Sequence, residues 1–480
     1  MSRAPKMKIR DQVFARADFA RRSRRKVLTS MKDTKKGDFT TGPITKNILL
    51  FALPLMCGNL LQQMYNIADT WVVGRFLGAD ALAAVGSSYT LMVFLTSILL
   101  GLCMGSGAAI SMDYGSGQTD RMRRDVFLSF ALIAALSTFL NVLVYVFIDP
   151  ILDLLCVPAD VVPLMKTYLL IIFAGIFATF LYNYYASMLR AIGNSVVPLI
   201  FLAVAALLNV ALDLLFVIVL RLGVGGAAFA TVIAQFVSGI GIMFYTLLRF
   251  PALRPKKDDC RCSREALGRI LNLSLMTCLQ QSIMNFGILM IQGLVNSFGT
   301  VIMAAFAAAV KIDSFAYMPV QDFGNAFSTF VAQNFGAGKT DRIRRGVRSA
   351  FFTSAVFSLC VSLGVVCFAT PLMHVFIDPS ETAIIAAGVT YLRVEGSCYL
   401  GIGLLFLLYG YYRAVDKPLM SVILTVASLG TRVALAYALA PLPAVGVIGI
   451  WAAIPIGWAL ADAIGIGYYF VLIRVSKEKD

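Results

Sequence analysis

The sequence has little charge and few of the side chains that enzymes use as acids, bases and metal ligands. Asp, Glu, Lys and Arg make up 14% of the 480 residues, and His374 is the single histidine. Soluble domains carry about a quarter charged residues, which disfavours a soluble protein of this size. Without a metal or nucleophile constellation, an enzyme is the least favoured class. The nine cysteines lie mostly within apolar stretches, which argues against a disulfide framework.

What the chain has instead is a large excess of apolar residues. Hydrophobic residues make up 59% of the sequence and fall in long runs. A helix needs about 20 mainly apolar residues to cross a bilayer. Twelve stretches meet this requirement, at residues 47–73, 82–112, 124–148, 161–188, 195–220, 227–248, 267–297, 302–333, 348–372, 384–410, 419–440 and 447–473. We therefore predict an all-α polytopic membrane protein with 12 transmembrane helices.

The chain contains one unusual phrase twice. Residues 113–124 read DYGSGQTDRMRR and residues 334–345 read NFGAGKTDRIRR, with seven of the twelve positions identical. Six predicted spans precede the central basic loop and six follow it, so the halves form a parallel repeat of two six-helix lobes. Thr119 and Asp120 suit the N-cap of the next helix. The arginines that follow are expected to contact lipid headgroups and fix the topology, rather than to handle substrate.

Lys and Arg are concentrated in alternate connections, which sets the predicted orientation. The connections after the second, fourth, sixth, eighth and tenth spans are basic, so both termini are predicted to be cytoplasmic. The predicted organisation is a basic cytoplasmic tail (1–45), an N-lobe (46–250), a cytoplasmic inter-lobe loop (251–266), a C-lobe (267–474) and a cytoplasmic C-terminal tail (475–480).

The first 46 residues account for most of the net positive charge, with 14 Lys or Arg against four Asp. Such a polar, basic segment is expected to be disordered and to attract anionic lipids rather than nucleic acid. Met31 is an equally good candidate for the start, since MKDTKKGDFTTGP is already a sufficient cytoplasmic lead-in.

Acids inside apolar spans are costly, by about 3 kcal/mol at the centre of a bilayer, and usually mark a functional pathway. Asp69 closes the first span and Asp213 lies late in the fifth. Both spans run outward, so the two carboxyl groups are predicted to meet in the outer half of the bilayer. The neighbouring polar residues that could reach the same level are Gln62, Tyr65, Tyr168, Asn209 and Thr231.

Comparing the two halves tests whether these polar groups belong only to the repeated fold. At corresponding positions, Asp69 becomes Gly287, Asn209 becomes Arg432 and Asp213 becomes Ala436. A group needed only for packing the repeat should have a counterpart. The asymmetry favours a role in ion coupling, while the alternative is that Asp69 lies in the headgroup region and Asp213 is a satisfied buried acid.

Three acids of the C-lobe remain open from sequence alone. Glu395 could bind a cationic drug, form a second ion site, or pair with Arg393 or Arg432. Asp313 lies two residues from Lys311, so we expect a structural ion pair there. No role is assigned to Asp322.

Several of these runs together resemble the multidrug and toxic compound extrusion (MATE) transporters. They are LLQQMYNIADTWVVGRFLG, the two GxGxTDRxRR phrases, the RAIGN turn, NVALD and GVGGAAFAT, and the resemblance covers about residues 40–475. It is strongest to the DinF-like bacterial branch, because the seventh span has Gln280, Gln281 and Asn285 but no acid. The resemblance implies two six-helix lobes around a central cleft, with the coupling site in the N-lobe at Asp69, Tyr168, Asn209, Asp213 and Thr231.

The expected function is a secondary active antiporter that exports organic cations and amphiphilic drugs in exchange for H⁺ or Na⁺. No cofactor is expected beyond the coupling ion, and for Na⁺ the ligands would be Asp69, Asn209, Asp213 and Thr231. The predicted substrate cavity contains Gln62, Tyr65, Gln280, Gln281, Asn285 and Glu395. We expect a monomer in a bacterial inner membrane. The alternatives are a flippase for a lipid-linked sugar and a major-facilitator-type transporter.

Overall fold

The computed structural model of the chain describes residues 37–154, 160–256, 259, 263–443 and 445–477, and within these ranges all regular structure is helical. The N-lobe helices are α1 (Ile44–Leu77), α2 (Ala79–Ser116), α3 (Thr119–Val146), α4 (Ile148–Leu154), α5 (Val162–Ala174), α6 (Ile176–Ala191), α7 (Val196–Asp213) and α8 (Gly223–Arg249). The C-lobe helices are α9 (Arg264–Asn296), α10 (Thr300–Gly336), α11 (Thr340–Cys367), α12 (Ala369–His374), α13 (Thr382–Gly396), α14 (Tyr399–Ala414), α15 (Pro418–Leu439) and α16 (Val447–Lys477). Residues 1–36 of the predicted tail, including Met31, lie outside the described residues, as do parts of the inter-lobe loop.

The predicted fold class is confirmed. Among the described residues, ten helices are long and apolar enough to cross a membrane, and two bent helix pairs bring the number to twelve. The bent pairs are α5 with α6, at 46°, and α13 with α14, at 51°. They correspond to the fourth and tenth predicted spans, so each of these spans is broken near its middle at equivalent places in the two lobes.

The fifth span has a second irregularity. Helix α7 ends at Asp213, and the chain continues as a π-helix over Leu214–Val219. A π-helical turn widens the hydrogen-bonding pattern and is found frequently at functional sites. Here it begins directly after one of the two predicted coupling acids, although nothing in the apolar run LLFVIV signals it.

The two copies of the repeated phrase cross each other at the basic end of the bundle, which we call the cytoplasmic end. Gly115 lies against the backbone of Gln333, and Gly336 lies against the backbone of Met112, so closely that neither position has room for a Cβ atom. Helix α3 begins at Thr119, but no side chain caps it, and the Thr119 hydroxyl points back to the Gly117 carbonyl. The predicted capping role of Thr119 and Asp120 is therefore wrong.

Residues 37–43 form a strap beneath this contact. The Phe39 N–H donates to Gln333 Oε1 at 2.9 Å, and Gln333 Nε2 donates to the Ala191 carbonyl at 2.9 Å, so one amide links the strap to both lobes. Arg342 of the second phrase donates to the carbonyls of Phe39 and Thr41 at 3.0 and 2.7 Å. This arginine is engaged by the chain's own backbone rather than left free for lipid headgroups.

A buried ion network closes the other side of the cytoplasmic end. Arg269, at the start of the C-lobe, donates to Asp113 at 2.9 Å and to Asp125 at 3.3 Å. Arg123 of the first phrase pairs with Asp259 of the inter-lobe loop at 2.9 Å. The lobes are thus joined at their cytoplasmic ends by backbone packing, the strap and paired charges, which supports a structural role for the repeated phrase.

Candidate functional site

A large cavity of about 1660 Å³ separates the two lobes. Its wall reaches Trp71 and Arg75 near the outer end of α1 and Phe376 after α12, while its deepest residues include Ala191 and Ala332 near the cytoplasmic contact. The lobes touch at the cytoplasmic end and the cavity extends to the outer end. The structure is therefore in an outward-facing arrangement.

The two predicted coupling acids meet in the N-lobe. The carboxyl groups of Asp69 on α1 and Asp213 at the end of α7 lie next to each other. Asp69 lines the cavity, whereas Asp213 is 0% exposed and lies behind the cavity wall. An ion arriving through the cavity would therefore meet Asp69 first.

Three neutral groups lie near this pair: Asn209, Thr231 and Tyr168. Asn209 Nδ2 donates to Thr231 Oγ1 at 3.3 Å, one helical turn before Asp213. Tyr168 is buried and lies close to both carboxyl groups. Within the described residues, four buried oxygen atoms here have no hydrogen-bond donor: Asp69 Oδ1, Asn209 Oδ1 and both carboxylate oxygens of Asp213. Carboxylate, amide and hydroxyl oxygens are the ligands that hard cations prefer.

The structure also places the predicted cavity residues. Gln62, Tyr65, Gln280, Gln281, Asn285 and Glu395 all line the space between the lobes, as do Asp69, Tyr168 and Thr231. Asn209 does not line it, and like Asp213 it lies behind the wall. The predicted residues therefore separate into a cavity surface and a buried pocket joined at Asp69.

A second pair of acids, Asp313 and Glu395, lies in the C-lobe. Tyr399 lies near Asp313 and Tyr391 near Glu395, but within the described residues the Tyr399 hydroxyl, Asp313 Oδ1 and Glu395 Oε2 have no hydrogen-bond partner. Arg432, at the position that corresponds to Asn209, faces both acids without coming within 4.0 Å of either carboxylate in the described part of the chain. The C-lobe therefore has a polar cluster of its own, built from different helices than the N-lobe pair.

The ion pair expected between Lys311 and Asp313 is wrong. Lys311 is exposed and Asp313 is buried, and no ion pair joins them among the described residues. Residues two apart on a helix do not share a face, which is the physical reason. Arg393 is likewise exposed and forms no ion pair with Glu395 in the same ranges, which removes that alternative for Glu395.

Sequence reasoning missed several polar groups of the cavity region. Asn59 donates to both carboxylate oxygens of Asp322, at 2.7 and 2.8 Å, and this bond crosses between the lobes. Asn59 precedes Gln62 by three residues, so it extends the polar face of α1 that the spacing already indicated. Asp462, buried in the last span, could have been found as an acid within an apolar run.

Two lobes of membrane-spanning helices around a cavity, with buried carboxyl groups on its wall, define a membrane transporter. The MatE family model matches residues 54–215 and 273–438, one segment in each lobe. The chain belongs to this family, the MATE transporters, and is a multi-pass membrane protein and not an enzyme. Family membership rules out the major-facilitator alternative.

Comparison with individual proteins agrees with this assignment. The chain is 31% identical over 394 residues to the "Probable multidrug resistance protein YpnP" of Bacillus subtilis, covering 82% of this chain and 88% of that protein. It is 26% identical over 434 residues to the "Probable multidrug resistance protein YoeA" of the same organism, covering 89% and 93%. A crystal structure of a MATE protein in the bent conformation superposes with a TM-score of 0.87 at 23% identity, covering 93% of this chain and 99% of the other, which shows the shared fold.

Proposed function

We propose that this protein is a secondary active antiporter that exports amphiphilic drugs, chiefly organic cations, in exchange for H⁺ or Na⁺. The names of the relatives YpnP and YoeA support multidrug export. The inward flow of the ion would provide the energy. The site of action would be the bacterial inner membrane, with the protein working as a monomer among anionic lipids.

The observation that carries the proposal is the Asp69–Asp213 pair. One acid lies on the cavity wall and the other is buried behind it, at the point where α7 becomes π-helical. Two adjacent carboxyl groups in an apolar surrounding cannot both stay ionised on their own. They either share a proton, which neutralises one of them, or bind a cation. The four oxygens that accept no hydrogen bond, together with the hydroxyl of Thr231, provide an oxygen-rich pocket that would suit either ion.

The exchange would proceed by competition and alternating access. With the cleft open to the cytoplasm, charged Asp69 would attract a cationic drug into the cavity. After the lobes reorient, H⁺ or Na⁺ would enter from the outer side, neutralise the pair and lower the affinity for the drug. The ion must bind the drug-free outward state better than the inward state, because a ligand shifts an equilibrium only by its differential affinity.

The polar residues on the cavity wall would contribute to drug binding. Gln62 and Tyr65 belong to the N-lobe, and Gln280, Gln281 and Asn285 to the C-lobe, so a bound drug would contact both. Glu395 would add a second negative charge on the C-lobe side. Such a wide, mainly apolar wall with few polar groups suits substrates of varied shape.

The experiment that tests the proposal is drug-stimulated ion flux in proteoliposomes with pH and Na⁺ gradients imposed separately. We expect ethidium export to be accelerated by one of the two gradients and drug to stimulate movement of the same ion. Export that responds to neither gradient would contradict antiport. A flippase of lipid-linked sugar would instead translocate its lipid precursor and leave ethidium in place.

A further inference from the structure

Two arginines lie at the deep, cytoplasmic end of the cavity, one from each lobe. Arg190 is in the last turn of α6 and Arg413 in the last turn of α14, and each is followed by alanine, so they are counterparts in the repeat. Both line the cavity. Sequence analysis assigned them only to the basic connections that set orientation.

Arg413 is a buried cation without an acidic partner. It is 5% exposed, and its guanidinium donates to two neutral oxygens, Asn325 Oδ1 at 3.1 Å and Ser328 Oγ at 3.4 Å. Among the described residues, no carboxylate lies within 4.0 Å of it. A buried charge that is not paired is costly, and a ligand that supplies the negative charge would offset this cost.

Arg190 is partly buried. Its Nε atom is buried and has no acceptor within the described ranges, and its guanidinium lies close to the neutral hydroxyl of Tyr182. Arg190 also lies near Asp322, which already accepts both hydrogen bonds from Asn59. The carboxylate near Arg190 is therefore engaged by another side chain.

The two arginines converge on one face of α10. Asp322, Asn325 and Ser328 follow each other at three-residue intervals and span about 9 Å along the helix axis. Arg190 lies near the first of them and Arg413 contacts the other two. Asp313 lies nine residues earlier on the same helix, about 13 Å further toward the outer end. The floor of the cavity thus presents Arg190 and Arg413, whereas its outer part is lined by acids (Asp69, Asp313, Glu395) and cations (Arg75, Lys311, Arg432) alike.

We propose that Arg190 and Arg413 form a subsite for an anionic group, a carboxylate or a phosphate, of the transported substrate. The guanidinium fork matches both groups and binds them through paired hydrogen bonds. The apolar or cationic part of the same molecule would then extend toward Asp313 and Glu395 in the outer part of the cavity. This inference rests on the proposed function in one respect, that the cavity holds the substrate, and it extends the substrate class to zwitterionic amphiphiles.

A matched pair of probes tests the subsite: a rhodamine with a free carboxylate and its ethyl ester. Equilibrium binding to the full chain in phosphatidylcholine nanodiscs is measured by fluorescence polarisation, without any ion gradient. We expect the wild type to bind the free acid more tightly than the ester. Arg413→Gln and Arg190→Gln should each weaken binding of the free acid by about tenfold or more and binding of the ester far less. Arg413→Lys should retain part of the preference for the free acid.

Arg393→Gln is the control, since Arg393 is on the same broken span as Arg413 but exposed and outside the cavity wall. It should leave the preference for the acid unchanged. The inference is overturned if the wild type shows no preference, or if Arg413→Gln weakens acid and ester equally.

A phosphate from a membrane lipid has the same chemistry and is distinguished by repeating the binding in phosphatidylglycerol nanodiscs. If the wild-type preference for the acid persists there, the subsite belongs to the substrate. If anionic lipid abolishes it in the wild type, a headgroup occupies the arginines and the substrate assignment is overturned. Because binding is measured at equilibrium, failure of ion-driven export would refute the antiport proposal and leave this result standing.

Discussion

Gly336 of the second repeated phrase lies directly against the carbonyl of Met112, just before the first phrase begins its turn. The reciprocal contact joins Gly115 to Gln333, so the two copies interlock about the axis that relates the lobes. Alternating access would require the cytoplasmic ends to separate, and at these two contacts the backbones lie too close for a Cβ atom. The repeated phrase therefore forms a backbone contact between the two lobes, and under the proposed mechanism this contact would have to open.

Gly336→Ala should loosen the cytoplasmic closure, because its Cβ atom would collide with the Met112 backbone. We expect the population to move from the outward-facing arrangement toward one with separated cytoplasmic ends. Spin labels at positions 118 and 339 should show a longer distance distribution in the variant than in the parent protein.

Gly364→Ala provides the control for this change. Gly364 is also helical, in the ninth span, but an added Cβ atom there meets open space. Its distance distribution should match the parent. An unchanged distribution for Gly336→Ala would show that the crossing does not limit opening.

Arg269→Gln should destabilise the protein, because Asp113 and Asp125 would remain buried without their shared cation. Removing one partner of a buried charge network costs about 3 to 5 kcal/mol. Lys166→Gln is the comparison, since the Lys166–Asp149 pair is largely exposed and such pairs contribute about 0 to 1 kcal/mol. Thermal unfolding in detergent should show a large decrease for the first variant and little change for the second. Equal effects would contradict the burial argument.

The pH dependence of stability tests the contact between Arg123 and the inter-lobe loop. The backbone N–H of Lys256 and the Arg123 guanidinium hold the pKa of Asp259 below its ordinary value. A lowered folded-state pKa gives stability that is present at neutral pH and is lost as the pH falls through that pKa, below about pH 4. Asp259→Asn should therefore be less stable than the parent at pH 7, and the difference should shrink toward pH 3. A difference that stays constant with pH would reject this contribution.

The apolar pattern and the repeat were sufficient to predict the twelve spans and the two lobes, because burial in lipid imposes long hydrophobic runs. They were also sufficient to bring Asp69 to Asp213, since depth in the membrane follows from residue number along each helix. The break at Gly175 could not be predicted, because it lies within a continuously apolar run. The break at Ser397 lies beside Arg393 and Glu395, where the apolar run is interrupted, but counting spans by length does not use that signal.

Side-chain direction was the other limit of the sequence. Basic residues near span ends are usually topological signals, and in the sequence Arg190 and Arg413 do not differ from such residues. Only the structure shows that both line the cavity. Asp313 and Lys311 looked like partners by proximity, yet they lie on different faces of α10. Which face of a helix lines the cavity depends on how the two lobes pack together. A local sequence pattern carries no information on that packing.

Thr231→Val should weaken ion binding in the N-lobe pocket while keeping the shape of the side chain. The hydroxyl contacts Asn209 at 3.3 Å, and removing one oxygen of the pocket should raise the ion concentration for half-maximal export about fivefold. Thr246→Val is the matched control on the same helix, since the buried Thr246 hydroxyl donates to the backbone carbonyl of Ile242, one turn earlier. Should both variants change the ion dependence alike, the effect would belong to the helix rather than to the pocket.

The most direct measurement of the central claim is gradient-driven ethidium export by Asp213→Asn in proteoliposomes, with ethidium binding measured on the same preparation. Asp213 lies behind the cavity wall, so the variant should keep its fold and bind the drug nearly as well as the parent. The Asp69–Asp213 account predicts that neither a pH nor a Na⁺ gradient accelerates its export. Undiminished acceleration by the gradient that drives the parent would contradict the account.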